Sequence, residues 1–232
     1  MRKKIIGVVP SAKLFLNEDP YQDRYEYVNS YIARITEAGG IAQGVLPCNG
    51  YIYEEALDNF DAFLITGGLQ IHPYHFQIVE HCYRTHKKLL GVCLGLQTIH
   101  SFFTVLQEKE TRQFEGGLLD LYLQMKKEKY MFVLPVENHW QFNITRTQID
   151  PTKHPIQIQK GTLLHKLFQG TTLNVSSMHR YAANNPSSLL SVSAISQDNS
   201  IEALEYEDFI LGVQFHPEVD HNYMSLFQFL ID

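Results

Sequence analysis

The first hundred residues alternate between two hydrophobic periodicities. Short runs that are apolar throughout predict buried strands, and between them apolar residues recur at the three- and four-residue spacing of helices. The strand-like runs span residues 4–9, 41–46, 61–66 and 89–92, and the helical patterns cover residues 23–38, 53–57 and 76–83. Apolar strands separated by helices form parallel sheets covered on both faces, so this half predicts an α/β fold.

The second half of the chain has a different pattern. Residues 107–131 are rich in charge, and we predict a loop excursion with little regular structure there. After it, strand-like runs follow one another with few helices between them, which favours antiparallel pairing. These runs span residues 154–159, 173–177, 189–196, 201–206 and 209–215, with short helices predicted at 162–168 and 222–230. The sequence contains no internal repeat, and we expect a single domain over residues 1–232.

Composition excludes several classes of protein. Of the 232 residues, 44% are hydrophobic and 19% are charged, as in a globular chain and unlike a disordered one. Lys and Arg number 19 against 25 Asp and Glu, a net charge of −6, which argues against nucleic acid or an anionic membrane as a partner. The apolar stretch at residues 89–96 is too short to cross a bilayer, so no membrane span is expected.

The cysteines indicate a reducing compartment. Cys48, Cys82 and Cys93 form no CxxC pair and cannot all be bridged, so we expect free thiols and a cytoplasmic location. The basic amino terminus resembles a signal peptide, but its apolar run stops at Pro10, and a short buried strand is the better interpretation.

One cysteine lies in a motif that carries chemistry. The segment Gly91-Val92-Cys93-Leu94-Gly95 has the glycine spacing of a nucleophile elbow, in which a strand turns abruptly into a helix and presents the central side chain. Apolar residues at helical spacing follow, so Cys93 is expected at a helix amino terminus, where the dipole favours a thiolate. A packed cysteine in a tight turn gives the same local pattern, and the motif alone leaves both interpretations open.

A second motif lies near the end of the chain. A predicted strand ends at His216, Pro217 cannot continue a ladder, and Glu218 follows within reach of the imidazole. A thiolate nucleophile needs an imidazole to receive and return protons, and the imidazole needs a third group to fix its tautomer. A surface histidine beside a solvated glutamate is the alternative interpretation for this motif in isolation.

Taken together and in this order, the motifs resemble the class I glutamine amidotransferase family over nearly the whole chain. Within it the chain is most similar to the free-standing γ-glutamyl hydrolases of peptidase family C26, the γ-glutamyl-GABA hydrolase type. The matching segments include KKIIGVVPS, AGGIAQGVLP, DAFLITGGLQIHP, VSSMHRYA and ILGVQFHPE. The resemblance implies a three-layer α/β/α fold, with a flavodoxin-like, mostly parallel central sheet and additional antiparallel strands from the C-terminal half.

The resemblance also implies roles for individual residues. Cys93 matches the nucleophile, His216 the general base and then acid, and Glu218 the group that orients the imidazole. The remaining matches are the oxyanion-hole amides of Gly67, Gly68 and Leu94, and the substrate-binding residues Gln97, Ser177 and His179. The chain departs from the hydrolase branch at Gln70, Leu94, Ser176 and Tyr181. None of these departures removes a catalytic group, but they leave the leaving-group specificity open.

The resemblance implies a cysteine hydrolase that cleaves a γ-glutamyl amide bond of a small-molecule substrate through a thioester on Cys93. Two alternatives stay open: a glutaminase subunit that passes ammonia to a partner synthetase, and a non-catalytic binding protein on the same scaffold. The 232 residues accommodate a glutaminase-type domain and leave none for a synthetase, so we expect a stand-alone hydrolase. A homodimer is compatible with such an enzyme.

Cofactors are not indicated. His72-x-x-His75 has a metal-like spacing, but no Cys or carboxylate completes a ligand set there, so we expect solvated loop histidines and no metal. The sequence contains no Walker loop or GxGxxG, and no nucleotide cofactor is implied. Trp140, Phe142 and Tyr181 are candidates to flank the substrate, with a position in the core as the alternative for each.

Overall fold

The computed structural model describes residues 2–14, 22–140 and 153–232. Its strands are β1 (Ile5–Val9), β2 (Ser11–Lys13), β3 (Arg24–Glu26), β4 (Ile41–Gly44), β5 (Ala62–Ile65), β6 (Lys88–Val92), β7 (Val133–Pro135), β8 (Lys153–Ile158), β9 (Thr172–Ser176), β10 (Tyr181–Ala183), β11 (Ser191–Ser196), β12 (Ile201–Tyr206) and β13 (Ile210–Val213). Its helices are α1 (Asn29–Glu37), α2 (Pro73–Thr85), α3 (Leu94–Thr111), α4 (Leu118–Lys127), α5 (Leu163–Phe168) and α6 (Met224–Phe229).

The central sheet has nine strands in the order β4-β1-β5-β6-β13-β12-β11-β8-β9. The five strands from β4 to β13 are parallel. In chain order they follow the 2-1-3-4-5 arrangement of flavodoxin-like sheets. The next four strands pair antiparallel with their neighbours. The predicted fold class, a mostly parallel sheet with added antiparallel C-terminal strands, is therefore confirmed.

Helices cover both faces of this sheet. α2, α3 and α4 supply one buried apolar cluster, and α1, α5 and α6 supply the other. Successive residues of a strand point to opposite faces, and β5 shows the consequence. Phe63 and Ile65 belong to the first cluster, whereas Ala62 and Leu64 belong to the second. Because both faces are apolar, the inner parallel strands β1, β5 and β13 contain no polar side chain to break the hydrophobic runs seen in the sequence.

The prediction of a loop over residues 107–131 was wrong. α3 continues to Thr111, and α4 occupies residues 118–127. Leu121, Tyr122 and Met125 form the buried face of α4, and the Asp120 carboxylate accepts a hydrogen bond from the Gly117 amide at 3.2 Å. The charged residues that suggested a loop lie largely on the solvent side of an amphipathic helix.

The helix predicted over residues 23–38 begins later, at Asn29. The residues before it form β3, which pairs antiparallel with β2 in the register Ser11 to Glu26 and Lys13 to Arg24. This short hairpin follows β1 directly, at the carboxyl edge of the parallel strands. In the described ranges, no helix is both long and apolar enough to span a membrane.

Candidate active site

Cys93 occupies the single residue between β6 and α3. Its backbone has φ 51° and ψ −98°, a positive-φ conformation that is uncommon for a residue with a side chain. Its amide donates a hydrogen bond to the Val213 carbonyl at 2.8 Å, on the neighbouring strand β13. A Cβ on Gly91 would lie 2.6 Å from the carbonyl carbon of Gly95, and one on Gly95 would lie 2.7 Å from the Ile65 carbonyl oxygen. The turn therefore requires both glycines, as a nucleophile elbow does.

His216 and Glu218 follow the end of β13. The His216 amide donates to the Ser176 carbonyl at 3.0 Å, which fixes the backbone at this point. Nδ1 of His216 lies 2.7 Å from Oε1 of Glu218, and both side chains are buried. Since an ionised carboxylate only accepts hydrogen bonds, Nδ1 carries the proton. Nε2 is buried and makes no hydrogen bond within the described part of the chain, which leaves it available to the thiol of Cys93.

The charges around His216 favour its protonated form. Burial by itself lowers the pKa of the imidazole, but the Glu218 carboxylate and the neighbouring Cys93 group raise it, and the net result is a pKa well above the ordinary value for histidine. The imidazole can therefore hold a proton near neutral pH and pass it to a leaving group.

The Gly67-Gly68 turn at the end of β5 packs against this pair. The Gly67 amide donates to the Tyr31 hydroxyl at 3.2 Å, and a Cβ on Gly67 would lie only 2.9 Å from Cε1 of His216. Gly68 lines the same cleft as Cys93. The amide of Leu94, in the first turn of α3, has no intrahelical partner. Of the three amides predicted to form an oxyanion hole, Gly67's is occupied, and those of Gly68 and Leu94 remain as candidates.

Two cavities adjoin near the nucleophile, and Cys93 lines one of them. The cysteine cleft, of about 290 Å³, is lined by Ser11, Ala12, Lys13, Glu26, Gly68, Leu69, Cys93, Trp140, Met178 and His216. The Gln97 cavity, of about 580 Å³, is lined by Leu69, Gln70, Ile71, Leu94, Gln97, Ser101, Tyr122, Lys126, Tyr130, Met131, Phe132, Val133 and Tyr181. Leu69 lines both. A substrate whose reacting carbonyl lies at Cys93 can therefore extend in two directions.

Residues 4–81 and 74–218 match the sequence model of the Peptidase C26 family. The chain belongs to the Peptidase C26 family. Protein NtpR of Enterococcus hirae is 37% identical, over 98% of this chain and 96% of that protein. A glutamine amidotransferase-like protein of Rickettsia prowazekii is 26% identical, over 93% of this chain and 91% of that one. The crystal structure of a glutamine amidotransferase from Thermotoga maritima is 14% identical and shares the fold, with a TM-score of 0.60 over 97% of this chain and 81% of that one.

This C26 chain is thus class I glutamine amidotransferase-like. Its fold brings together most but not all of the residues that were predicted for the site. Gln97 lines the Gln97 cavity, where its Nε2 donates to the Tyr181 carbonyl at 3.1 Å. Ser177 and His179 line neither cavity. The Ser177 hydroxyl donates to the His139 carbonyl at 3.0 Å, and Met178 lines the cysteine cleft instead. Neighbouring side chains of an extended segment point in opposite directions. Met178, between Ser177 and His179, is therefore the residue of this segment that lines the cleft.

The other histidine motif caps a helix. His72 precedes α2, and its amide donates to Nδ1 of His75 at 3.0 Å, while Nε2 of His75 donates to the Pro10 carbonyl at 3.1 Å. Both side chains are buried, and burial lowers the pKa of His75 to about 3. The expectation of solvated loop histidines was therefore wrong.

Tyr31 is a residue of this C26 site that the sequence did not single out. It lies on the buried face of α1, and its helical spacing predicted only a core position. Its hydroxyl nevertheless accepts from Gly67, and burial together with the nearby Glu218 charge raises its pKa well above the ordinary value. The neutral phenol of Tyr31 therefore contacts the Gly67-Gly68 turn and lies close to the Glu218 carboxylate.

Of the three free cysteines, Cys48 is exposed and Cys82 is buried. Burial raises the pKa of Cys82, which makes it an inert packing thiol. Trp140 lines the cysteine cleft and Tyr181 lines the Gln97 cavity, as expected for residues that flank a substrate. Phe142 lies outside the described residues.

Proposed function

We propose that this protein is a cysteine-dependent hydrolase that cleaves γ-glutamyl amide bonds. The observation that carries the proposal is the positive-φ elbow at Cys93, in the same cleft as an imidazole whose Nδ1 lies 2.7 Å from the Glu218 carboxylate. Attack on a carbonyl creates an oxyanion, and preorganised amides such as those of Gly68 and Leu94 stabilise it by about 3–4 kcal/mol per donor.

The reaction proceeds in two halves. Nε2 of His216 holds the proton taken from the Cys93 thiol, so the sulfur attacks the γ-carbonyl carbon as a thiolate, and the resulting tetrahedral adduct collapses. The C–N bond breaks as the imidazolium donates its proton to the departing amine, which leaves a γ-glutamyl thioester. Water then attacks the thioester, His216 accepts a proton from it, and glutamate departs as the proton returns to the sulfur. The raised pKa of His216 suits the step in which it acts as an acid.

The substrate's orientation follows from that proton transfer. Because His216 protonates the leaving nitrogen, the amine lies on the His216 side, in the cysteine cleft. The glutamyl group then extends past Leu94 into the Gln97 cavity, where Gln97 and Lys126 offer an amide and a cation to its α-amino and α-carboxylate groups. Gln70, Leu94 and Tyr181, which depart from the hydrolase branch, all line this cavity, so in this orientation they bear on recognition of the acyl group.

The size of the cysteine cleft favours hydrolysis of a substituted amide over release of ammonia. A volume of about 290 Å³ far exceeds what an ammonia molecule occupies, and Trp140 and Met178 provide apolar surface. Lys13 and Glu26, an ion pair at 3.3 Å, add charge of both signs to the same lining. We therefore propose an amine with an apolar body and a polar end as the leaving group.

The experiment is a mass-spectrometric assay of a panel of γ-glutamyl amides that includes glutamine. We expect alkyl amides to react at least about 10-fold faster than glutamine, and Cys93→Ala to lose roughly 10⁴-fold or more in kcat. Cys48→Ala, which removes an exposed thiol, is the matched control and should retain activity. Full activity of Cys93→Ala would contradict the mechanism, and a preference for glutamine would favour the glutaminase alternative.

A further inference from the structure

A second group of buried titratable side chains lies outside the cysteine cleft. His139 follows β7, His154 lies in β8, His179 lies between β9 and β10, and Glu202 lies in β12. The Glu202 side chain is fully buried, and those of His139, His154 and His179 are 7%, 24% and 1% exposed. The hydrolytic mechanism uses none of the four. We call them the histidine–glutamate cluster.

Three ring nitrogens of this cluster face one carboxylate oxygen. Oε1 of Glu202 lies 3.5 Å from Nδ1 of His139, 3.6 Å from Nε2 of His154 and 3.4 Å from Nε2 of His179. Neither oxygen of Glu202 makes a hydrogen bond within the described ranges, and the same holds for the two Nε2 atoms. A buried carboxylate without a partner is strongly unfavourable, so a positive charge belongs between these groups.

In His139 and His179, the hydrogen bond of the ring nitrogen that faces away from Glu202 shows which nitrogen carries the proton. Nε2 of His139 lies 3.0 Å from Oδ2 of Asp198, and Nδ1 of His179 lies 3.1 Å from the Tyr181 carbonyl. Both partners accept hydrogen bonds, so both nitrogens donate. In a neutral ring the other nitrogen then bears a lone pair, and in both rings that nitrogen faces Glu202. Two lone pairs directed at a carboxylate repel one another unless a cation lies between them.

The spacing of these atoms fits a small tetrahedral ion. Ligands held 2.0–2.1 Å from Zn²⁺ lie about 3.3 Å apart, close to the 3.4–3.6 Å between Glu202 and the ring nitrogens. Candidate ligand atoms of His139, His179 and Glu202 all lie within 4.8 Å of one another. Imidazole with carboxylate is a donor set typical of zinc-class ions and not of Ca²⁺ or Mg²⁺. The Asp198 contact to His139 is the outer-shell carboxylate usual for a metal-bound histidine.

We propose that His139, His179 and Glu202 bind one zinc-class divalent ion, and that His154, whose Nε2 lies 3.6 Å from Oε1 of Glu202, supports the site from beside it. The hydroxyl of Ser177, which lies 3.3 Å from Nδ1 of His139 and donates to the His139 carbonyl, remains an outer contact. The sequence did not indicate this site because its residues come from separate segments.

The site would be structural, because its three ligands are buried and none of them lines the cysteine cleft or the Gln97 cavity. Trp140 follows His139, Met178 precedes His179, and both line the cysteine cleft. The ion would therefore fix two segments of the cleft wall against β8 and β12. Its removal should raise KM for the amide substrate by about 10-fold while kcat stays within a few-fold, since the reacting groups are not ligands.

The test is elemental analysis of protein prepared without a histidine tag, together with thermal unfolding. We expect about one zinc per chain, a Tm that falls on treatment with a chelator and recovers with Zn²⁺, and the visible absorption of a tetrahedral site after exchange with Co²⁺. Glu202→Gln keeps the side-chain shape and should abolish metal binding. His221→Gln, which alters a histidine that is 72% exposed, is the matched control and should bind normally.

A second variant keeps the proposal falsifiable if Glu202→Gln fails to fold. His154 lies at the exposed edge of the histidine–glutamate cluster, and His154→Gln should weaken zinc binding by roughly 10–100-fold while leaving the fold intact. The proposal is overturned if folded wild-type protein contains less than about a tenth of an equivalent of metal and its Tm does not respond to Zn²⁺. In that case a shared proton, and not a metal, would neutralise Glu202.

Discussion

Among the residues that the structure describes, two buried glutamates have histidine neighbours, and they differ in one respect that decides their chemistry. Glu218 lies 2.7 Å from Nδ1 of His216, a hydrogen bond, and turns the other ring nitrogen toward Cys93. Glu202 lies 3.4–3.6 Å from three ring nitrogens and hydrogen-bonds to none of them. The first arrangement can hold and move a proton. The second leaves a gap that suits a cation.

The two groups also occupy different parts of the sheet. Cys93 and His216 follow β6 and β13, two adjacent parallel strands, so both lie at the carboxyl edge where such sheets bind ligands. The histidine–glutamate cluster draws on β8 and β12 and the loops beside them, in the antiparallel half. Met178 and Trp140 connect the two, because each is adjacent to a cluster histidine and lines the cysteine cleft.

Among the variants that keep the Cys93 thiol, the largest effect is expected from Glu218→Gln. Burial alone lowers the pKa of His216, and Glu218 is the strongest group that raises it. Removing the charge should lower the imidazole pKa and move the alkaline limb of the pH profile of kcat/KM to lower pH, with an activity loss of roughly 10²-fold or more at neutral pH.

The matched control is Glu205→Gln. Glu205 is also buried, but it accepts hydrogen bonds from the amides of Leu163 and Leu164 at the start of α5, away from the cleft. Its pH profile should match that of the wild type. An unchanged alkaline limb in Glu218→Gln would show that the carboxylate does not set the protonation of His216.

A smaller loss is expected from Gly67→Ala. The added Cβ would lie 2.9 Å from Cε1 of His216 and 3.7 Å from Cβ of Cys93, so the imidazole must shift. A displacement of this kind typically costs 10–100-fold in kcat, since the reacting atoms lose alignment. Gly170→Ala, whose Cβ would meet no atom closer than 3.8 Å, should be neutral in the same steady-state assay. Equal activity of the two variants would show that the imidazole does not need this packing.

The smallest effect concerns a third kind of buried histidine, one held neutral. Nε2 of His100 donates to the Phe132 carbonyl at 2.8 Å, and burial lowers the pKa of His100 to about 4. In the unfolded chain the pKa of His100 is near 6.5. Below that pH the unfolded chain binds a proton that the native chain does not. The free energy of unfolding therefore falls by about 1.4 kcal/mol per pH unit from pH 6.5 down to about 4.

His100→Asn keeps a donor but cannot titrate, so it should reduce this acid slope in urea unfolding between pH 6.5 and 4.5. The slope of the free energy of unfolding against pH should change by at most the equivalent of one bound proton. This holds even if the variant also loses stability through poorer packing. His86→Asn is the control, because His86 is exposed and its φ of 55° is one that Asn tolerates. A slope unchanged in His100→Asn would mean that His100 titrates alike in the folded and unfolded states.

Much of the parallel half could be predicted from the sequence, because strands buried on both faces leave an uninterrupted apolar run. The elbow was predictable for a related reason, since close backbone contacts at Gly91 and Gly95 exclude any other residue. The helix α4 was missed because its exposed face carries most of the charges in that segment. The hairpin of β2 and β3 was missed because strands of three residues have no periodicity to detect.

Contacts that form only in three dimensions could not be predicted. Tyr31 was visible as an apolar helix position, yet its hydroxyl contact with Gly67 depends on how α1 packs on β5. The histidine–glutamate cluster joins residues up to 63 positions apart in the chain, and no local spacing links them. Ser177 and His179 were predicted for the pocket from a matched motif, and their role stays a prediction, since Met178 between them is the residue of this segment that lines the cysteine cleft.

The proposed hydrolysis depends above all on Cys93 as the nucleophile, and the most direct test is covalent labelling. The wild-type protein should react with the γ-glutamyl electrophile 6-diazo-5-oxo-norleucine once per chain, and peptide mapping by mass spectrometry should place the label on Cys93. Cys93→Ala should remain unlabelled while Cys48→Ala labels normally. A folded wild-type protein that takes up no label, or that carries it on another residue, would contradict the account.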